Sequence, residues 1–497
     1  MPTPLSPGAN TSVHPGVIDD RSAVGRQRGR VWRHVNGIQL VTAAVGVALG
    51  VGLWVAPLGL SPAIQRSMAI GGAMVWFWIT EPIELYLTGL IGCYLFWALH
   101  VADFATAFGG FARETTWFLL GAFLLGAMAR KTGLALRLGY LVLSRIGSSY
   151  GRILLGLIIV GFLITFFVPS GIARVSILAA MTLGVMRGFE ATEHGNIGRG
   201  LFLILTYTAS VFDKFIIAGA SAILARGIIT DVGKVPVSWG QWAIACLPGD
   251  LLTIVTCWLA TLWLFPPERA DLPDGRTFLR AELDRMGPWS VAEVRNAALM
   301  AVAVALWMTD FLHGVSAPVV GLGIGLAGCL PLVGVLDRED FARVNFPVLI
   351  FIGTVLSMGA VLAQTGVLSL LTQTIFDRMT PFLHGTAGTV VAIYSGTFVY
   401  HVFIGEDTVV IATLMPLLMD FARTHGLNPL AVGMIATIAS AGKLFVYQSS
   451  VLVTGYAFGH FDAKDLVKIG IVLTLVELVV LLLLAFSYWP LFGIALR

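Results

Sequence analysis

Lys214 and Lys443 are the side chains best placed to do chemistry. They lie in the runs Ser-Val-Phe-Asp-Lys-Phe-Ile-Ile-Ala-Gly (210–219) and Ala-Ser-Ala-Gly-Lys-Leu-Phe-Val-Tyr-Gln (439–448), one in each half of an apolar chain. An ammonium group at a bilayer centre costs roughly 2.5 to 3.5 kcal/mol on insertion scales, so such a group marks a working site by default. The competing reading is that each lysine snorkels to an interface or closes a structural ion pair. Asp213 precedes the first lysine, and Glu406 and Asp407 interrupt another apolar run. Lysines of this kind attract an anion, whereas the acids can neutralise them, accept a proton or meet a cationic ligand.

The elements that position these residues follow from composition. The chain has 497 residues, 57% hydrophobic and 12% charged, with 56 glycines and 30 phenylalanines. Its mean hydropathy is +0.87. This is an all-α, polytopic integral membrane protein, with room for roughly 10 to 12 spans of about 20 residues each. The net charge of +3 is spread over loops. It gives no sign of nucleic-acid binding and is more useful for topology. Cys93, Cys246, Cys257 and Cys329 stand in apolar runs without metal-like spacing, so neither a disulfide nor a metal is expected. Residues 1–36 read as a disordered segment ending in arginines (Arg21, Arg26, Arg28, Arg30, Arg33), which places the amino terminus in the cytoplasm. The basic stretches 129–152 and 266–292 should face the same side, the second as a solvated linker.

Division at that linker leaves two membrane repeats, 37–265 and 293–497, whose landmarks run in parallel. Each opens with a Trp/Thr-bearing helix (Trp76, Trp78 and Thr80; Trp307 and Thr309) and continues with a Gly-rich helix ending at Lys131-Thr132-Gly133 or Gln364-Thr365-Gly366. Each then carries a broken apolar segment, with Phe167-Val168-Pro169-Ser170-Gly171 or Ile404-Gly405-Glu406-Asp407-Thr408 at the break, and ends with its lysine segment. Such a repeat, inverted if an odd number of spans separates the units, is a secondary-transporter pattern. Backbone leaving a helix inside a membrane must line a cavity or be buried in protein, which predicts re-entrant hairpins around 152–187 and 386–422.

The stretch Val75-Trp76-Phe77-Trp78-Ile79-Thr80-Glu81-Pro82-Ile83 resembles the Trp-Trp-x-Thr-Glu-Ala-Ile-Pro signature of the divalent anion/sodium symporter family, part of the ion transporter superfamily. Trp117-Phe118-Leu119-Leu120-Gly121-Ala122-Phe123, the Lys131-Thr132-Gly133-Leu134 turn, Trp242 and Pro248 extend the resemblance over nearly all the chain beyond residue 37. The resemblance implies about eleven spanning helices, two hairpins, a scaffold that forms a homodimer, and a transport domain moving like an elevator in a bacterial inner membrane. It implies a small anionic substrate: a dicarboxylate, another organic acid or sulfate.

The binding motifs differ from the family's. Its Ser-Asn-Thr hairpin tips fall on Ser170-Gly171-Ile172 and Glu406-Asp407-Thr408, and its Pro-Asn turns on Gly219-Ala220-Ser221-Ala222-Ile223 and Tyr447-Gln448-Ser449-Ser450-Val451. Ser170, Gly171, Ser221, Glu406, Asp407, Thr408, Gln448 and Ser449 are therefore the expected substrate contacts. Lys214 and Lys443 fall near the positions where related symporters bind sodium. With Arg174 they set three positive charges against Asp213, Glu406 and Asp407, a charge network that is neutral before substrate arrives. The expectation is a carrier without a cofactor or sodium, working by exchange or with protons. A cation/proton antiporter using Asp213, Glu406 and Asp407 is the alternative. No Walker, Gly-x-Ser-x-Gly or paired metal-ligand motif accompanies the site, so an enzyme is not expected.

Overall fold

The computed structural model describes residues 37–189, 195–216, 219–271, 275–376, 385–404 and 406–497. The expected amino-terminal segment 1–36, His384 and Gly405 lie outside the described residues. Among those described, the chain is helical, and no strand is present beyond an isolated bridge between Ser149 and Asp271.

The first unit contains α1 (Gly37–Val55), α2 (Pro62–Thr80), α3 (Leu85–Ala98), the short α4 (Phe104–Ala107), α5 (Glu114–Thr132) and α6 (Leu134–Ile146). It continues with α7 (Tyr150–Thr165), α8 (Gly171–Gly188), α9 (Asn196–Phe215), α10 (Ala220–Asp231) and α11 (Trp239–Leu264). The linker carries α12 (Gly275–Arg285). The second unit contains α13 (Val291–Met308), α14 (Asp310–His313), α15 (Ala317–Ala327), α16 (Arg338–Ala342), α17 (Phe346–Thr365) and α18 (Val367–Phe376). It ends with α19 (Gly385–Phe403), α20 (Asp407–Thr424), α21 (Pro429–Ala439), α22 (Ser450–Tyr456) and α23 (Ala463–Leu483). The series α5 to α11 thus has a counterpart, element by element, in α17 to α23.

Among the described residues, five helices are long and apolar enough to cross a bilayer, and α5 with α6 makes a sixth if that pair, bent by 68°, is one span. The sequence expectation is about eleven spans of roughly 20 residues; the further apolar helices α3, α7, α15 and α21 are only 10–17 residues long. The bends need glycine: Gly133 and Gly366 sit at φ 75° and 85°, in the left-handed region that disfavours side chains. α5 packs on α15 through small residues; a Cβ at Gly121 would meet the Gly321 carbonyl at 2.4 Å. In the signature helix the tryptophans serve as braces. Trp76 Nε1 donates to Thr42 O (2.9 Å) and Trp78 Nε1 to Leu85 O (3.0 Å).

On the basic side the two units are fastened together. Arg137 of α6 is buried and donates to Glu293 (2.6 Å) and to the carbonyls of Gly287 (2.9 Å) and Met286 (3.0 Å), with Trp289 under its guanidinium. Lys131 reaches Asp337 (2.8 Å) and Asp340 (2.5 Å). The lysine's hydrogen bond and nearby backbone amides hold the Asp337 carboxyl down at about 2, well below the usual range.

Proline within a helix removes a hydrogen bond to the carbonyl four residues earlier. In α11, Pro248 leaves the Ile244 carbonyl without that partner, and Tyr488 from the end of the chain donates to it at 3.1 Å. Trp489 Nε1 donates to the adjacent Ala245 carbonyl (3.0 Å). Trp489 and Trp242 are both buried, so neither acts as an interfacial anchor.

Candidate functional site

Two helix pairs fold back on themselves. Tyr150 at the start of α7 meets Phe189 just beyond α8 (ring centroids 6.4 Å), and the Tyr400 hydroxyl of α19 lies 2.9 Å from Thr413 Oγ1 of α20. In each pair the chain leaves the helix at the tip, at 166–170 in the first and after Phe403 in the second, and a new helix starts at Gly171 or Asp407. The helices α9 (20 residues) and α21 (11 residues) are likewise followed by a break and a shorter helix, α10 (12 residues) or α22 (7 residues).

These breaks meet. The Ala220 amide donates to Pro169 O (3.3 Å), so α10 begins at the first tip. A Cβ on Gly171 would meet Val451 of α22 at 2.5 Å, and Ser450 N–H donates to Glu406 Oε2 (2.9 Å). The starts of α8, α10, α20 and α22 therefore gather in one region, each with amide hydrogens lacking a partner within its own helix. Ser170 Oγ accepts from Ala173 N (3.3 Å), Asp213 Oδ2 from Ser221 N (3.0 Å), and Ser449 Oγ from Val451 N (3.3 Å).

The charges form one network around these ends. Both Lys214 Nζ and Lys443 Nζ bond to the same oxygen, Asp407 Oδ2, the second at 3.1 Å. Lys214 also donates to Ser210 O (3.2 Å), and Lys443 to Ser440 O (3.2 Å) and Ala441 O (3.4 Å). The two lysines thus approach from α9 and from the loop after α21 with matching geometry. Arg174, fully buried, donates to Asp213 Oδ1 (3.0 Å) and to the carbonyls of Val168 and Ala209 (each 2.6 Å). The guanidinium therefore ties the first tip to α9. Burial strengthens every such attraction but makes an unpaired member costly, so the network stands or falls together.

The expected site residues divide by access. Gly171, Arg174, Asp213, Lys214, Ser221, Asp407, Lys443, Gln448 and Ser449 are buried; Ser170, Glu406 and Thr408 are half-buried. Gln448 Oε1 accepts from Leu444 N (2.7 Å) and Phe445 N (2.8 Å), which shapes the loop after Lys443. Ser449 faces Ser210 across 3.5 Å. Lys443 pairs with Asp407 and not with the adjacent Glu406. Asp407 takes both lysines because it starts α20 and points inward, whereas Glu406 precedes it and turns toward α22.

Sequence reasoning passed over two residues. Ser450 is exposed and supplies the amide that Glu406 accepts. Glu477 lies in the apolar helix α23, and the rule that singled out the lysines would have found it.

Gly171 yields a direct test of the packing. An alanine there presses on Val451, a stiff β-branched side chain, and overpacking of this kind costs about 1 to 3 kcal/mol. Gly171→Ala is expected to lower the melting temperature and slow transport, and Val451→Ala in the same chain should restore most of both. Thermal shift and uptake assays read the pair, and failure of the second substitution to rescue would show that the contact is not the cause.

Three comparisons place this arrangement among known proteins. The profile described as "Sodium:sulfate symporter transmembrane region" matches residues 36–495. A "Membrane protein" of Cupriavidus necator is 26% identical over 91% of this chain and 92% of its own length. "Dicarboxylate transporter 2, chloroplastic" of Spinacia oleracea is 24% identical over 92% of this chain and 84% of its own. In fold, the chain is similar to the Neisseria gonorrhoeae protein MtrF, with a TM-score of 0.54 at 11% identity, covering 93% of this chain and 96% of that one.

Proposed function

Because the chain belongs to the sodium:sulfate symporter transmembrane family, and is therefore a membrane transporter rather than an enzyme, we propose that it carries a small dicarboxylate across the membrane without sodium, by exchange or with protons. Its relatives include a dicarboxylate transporter, which supports that substrate class. The observation that carries the sodium-free reading is the pairing of Lys214 and Lys443 on one oxygen of Asp407. Two tethered ammonium groups supply, near the family's sodium positions, the charge that sodium would bring. A bound ion departs with its substrate; a lysine returns with the empty site, so the sodium gradient has nothing to act on.

Ser170, Glu406, Thr408 and Ser450 form the accessible face of the proposed site, backed by the buried network. Substrate would bind there between the two tips, with Ser221, Gln448 and Ser449 holding the backbone that presents it. We take 37–265 and 293–497 as two inverted repeats, with hairpins around 152–187 and 386–422 joined by the linker 266–292. Their moving parts would shift as an elevator within a homodimer, the amino terminus in the cytoplasm. The antiporter alternative is disfavoured by geometry: both oxygens of Asp213 are already engaged by Arg174 and the Ser221 amide, and Asp407 Oδ2 by the two lysines.

Uptake of labelled malate or succinate into proteoliposomes is expected to change by less than about twofold when external sodium is replaced by choline. Uptake that rises steeply with sodium, and persists in Lys214→Ala, would sink the reading. Vesicle acidification on adding sodium alone would favour the antiporter.

A further inference from the structure

The Glu477 carboxyl lies outside the network already described. Between Lys468 and Arg497 the only formally charged side chain is Glu477, midway along the apolar stretch Ala463–Phe492. A charge at that depth costs about 2.5 to 3.5 kcal/mol on insertion scales, and a neutral, protonated carboxyl avoids that cost. Among the described residues no cation forms an ion pair with it.

Its hydrogen bonding depends on a proton. The Tyr394 hydroxyl lies 2.8 Å from Glu477 Oε2 and 3.0 Å from the Thr474 carbonyl. A phenol has one hydrogen and here faces two acceptors. With Glu477 ionised, Tyr394 can satisfy only one of them at a time. When Glu477 is protonated, its own O–H donates to the Tyr394 oxygen and the phenol donates to Thr474, so both bonds are made. A cavity of about 20 Å³ adjoins the carboxyl, lined by Tyr207, Thr253, Thr256 and Cys257 among others. That is room for about one water molecule.

The site also connects to the charge network. Tyr394, Thr397 and His401 follow one another at helical spacing along α19, and all three are buried. His401 Nε2 lies 3.0 Å from the Gln448 carbonyl, while its Nδ1 and Thr397 Oγ1 have no hydrogen-bond partner among the described residues. Buried polar atoms left open in this way mark a path that water can complete. The titratable groups around Glu477 are Tyr394 on α19, Tyr207 on α9 and Cys257 on α11, with Lys443 and Lys214 at longer range.

We propose that Glu477, bonded to Tyr394, binds and releases one proton in each transport cycle, which makes the protein a proton–anion symporter. The carboxylate takes the proton from the aqueous phase on one side, forming its O–H, and returns it to water on the other. This rests on the anion-carrier reading above.

The test uses the full chain in liposomes containing a pH-sensitive dye, with a labelled dicarboxylate. For 1:1 coupling, an inward gradient of one pH unit can support accumulation of up to about tenfold. The wild type is expected to accumulate substrate under that gradient and to move protons with it. Glu477→Gln still accepts the Tyr394 hydrogen bond, so a merely structural role survives. It is expected to keep counterflow exchange and lose the response to the gradient. A gradient response unchanged in Glu477→Gln overturns the proposal, as does wild-type counterflow with no gradient response. Absence of wild-type counterflow overturns the carrier reading along with it. Should Glu477→Gln lose counterflow as well, Tyr394→Phe decides: a displaced pH profile supports the site and an unchanged profile overturns it.

Discussion

Asp407→Asn is expected to be the most damaging single substitution in the protein. It removes the one carboxylate to which both Lys214 and Lys443 bond, leaving two buried ammonium groups side by side. Removing one member of a buried pair typically costs about 3 to 5 kcal/mol, and here the remaining members repel each other as well. The expected result is a melting temperature too low for purification in the same detergent and uptake at background. Lys443→Met added to Asp407→Asn should recover part of the stability, because a single ammonium then remains beside an amide oxygen. Size-exclusion profiles and thermal shifts of both variants check this. A double variant no better than the single one would mean that the lysines are satisfied elsewhere.

The second large effect is expected at Arg174. Its guanidinium reaches Asp213 and two carbonyls, Val168 and Ala209, and thereby holds the first tip against α9. Arg174→Ala removes all of these contacts at once, leaves Asp213 without its cation and opens a cavity. A loss of about 3 to 5 kcal/mol is expected, with uptake abolished. Arg174→Lys keeps the charge but not the fork that spans acid and carbonyls together, so it should recover folding while transport stays impaired. The ratio of uptake to folded protein in the two variants separates the contributions. Full transport in Arg174→Lys would mean that charge alone matters at this position.

The sequence made the helical class legible through its hydropathy, and made the repeat legible because each unit carries the same punctuation: a glycine turn, a broken segment and a lysine. Gly133 and Gly366 sit where that punctuation placed them, with the φ angles that only glycine adopts readily. The charged residues of the site were visible for a different reason, since a charge in an apolar run is conspicuous. Their partners were not visible. Which of two adjacent acids faces the lysines depends on where α20 starts, and a shift of one residue turns a side chain by about 100° around a helix. Gln448 and Ser449 stood out by position; that Gln448 Oε1 and Ser449 Oγ would accept from nearby backbone amides did not. Glu477 was overlooked because it has no polar neighbour in sequence; its phenol partner comes from 83 residues away.

The covering of the α11 carbonyls has a consequence for how the protein is made. The proline break in α11 is completed by Tyr488, which lies 244 residues further along the chain. During synthesis, the first unit therefore enters the membrane with an unsatisfied carbonyl group, and it stays incomplete until Tyr488, 244 residues later, has been added. The second unit acts as a late-arriving part of the first, and the order of insertion matters as much as the contacts finally formed.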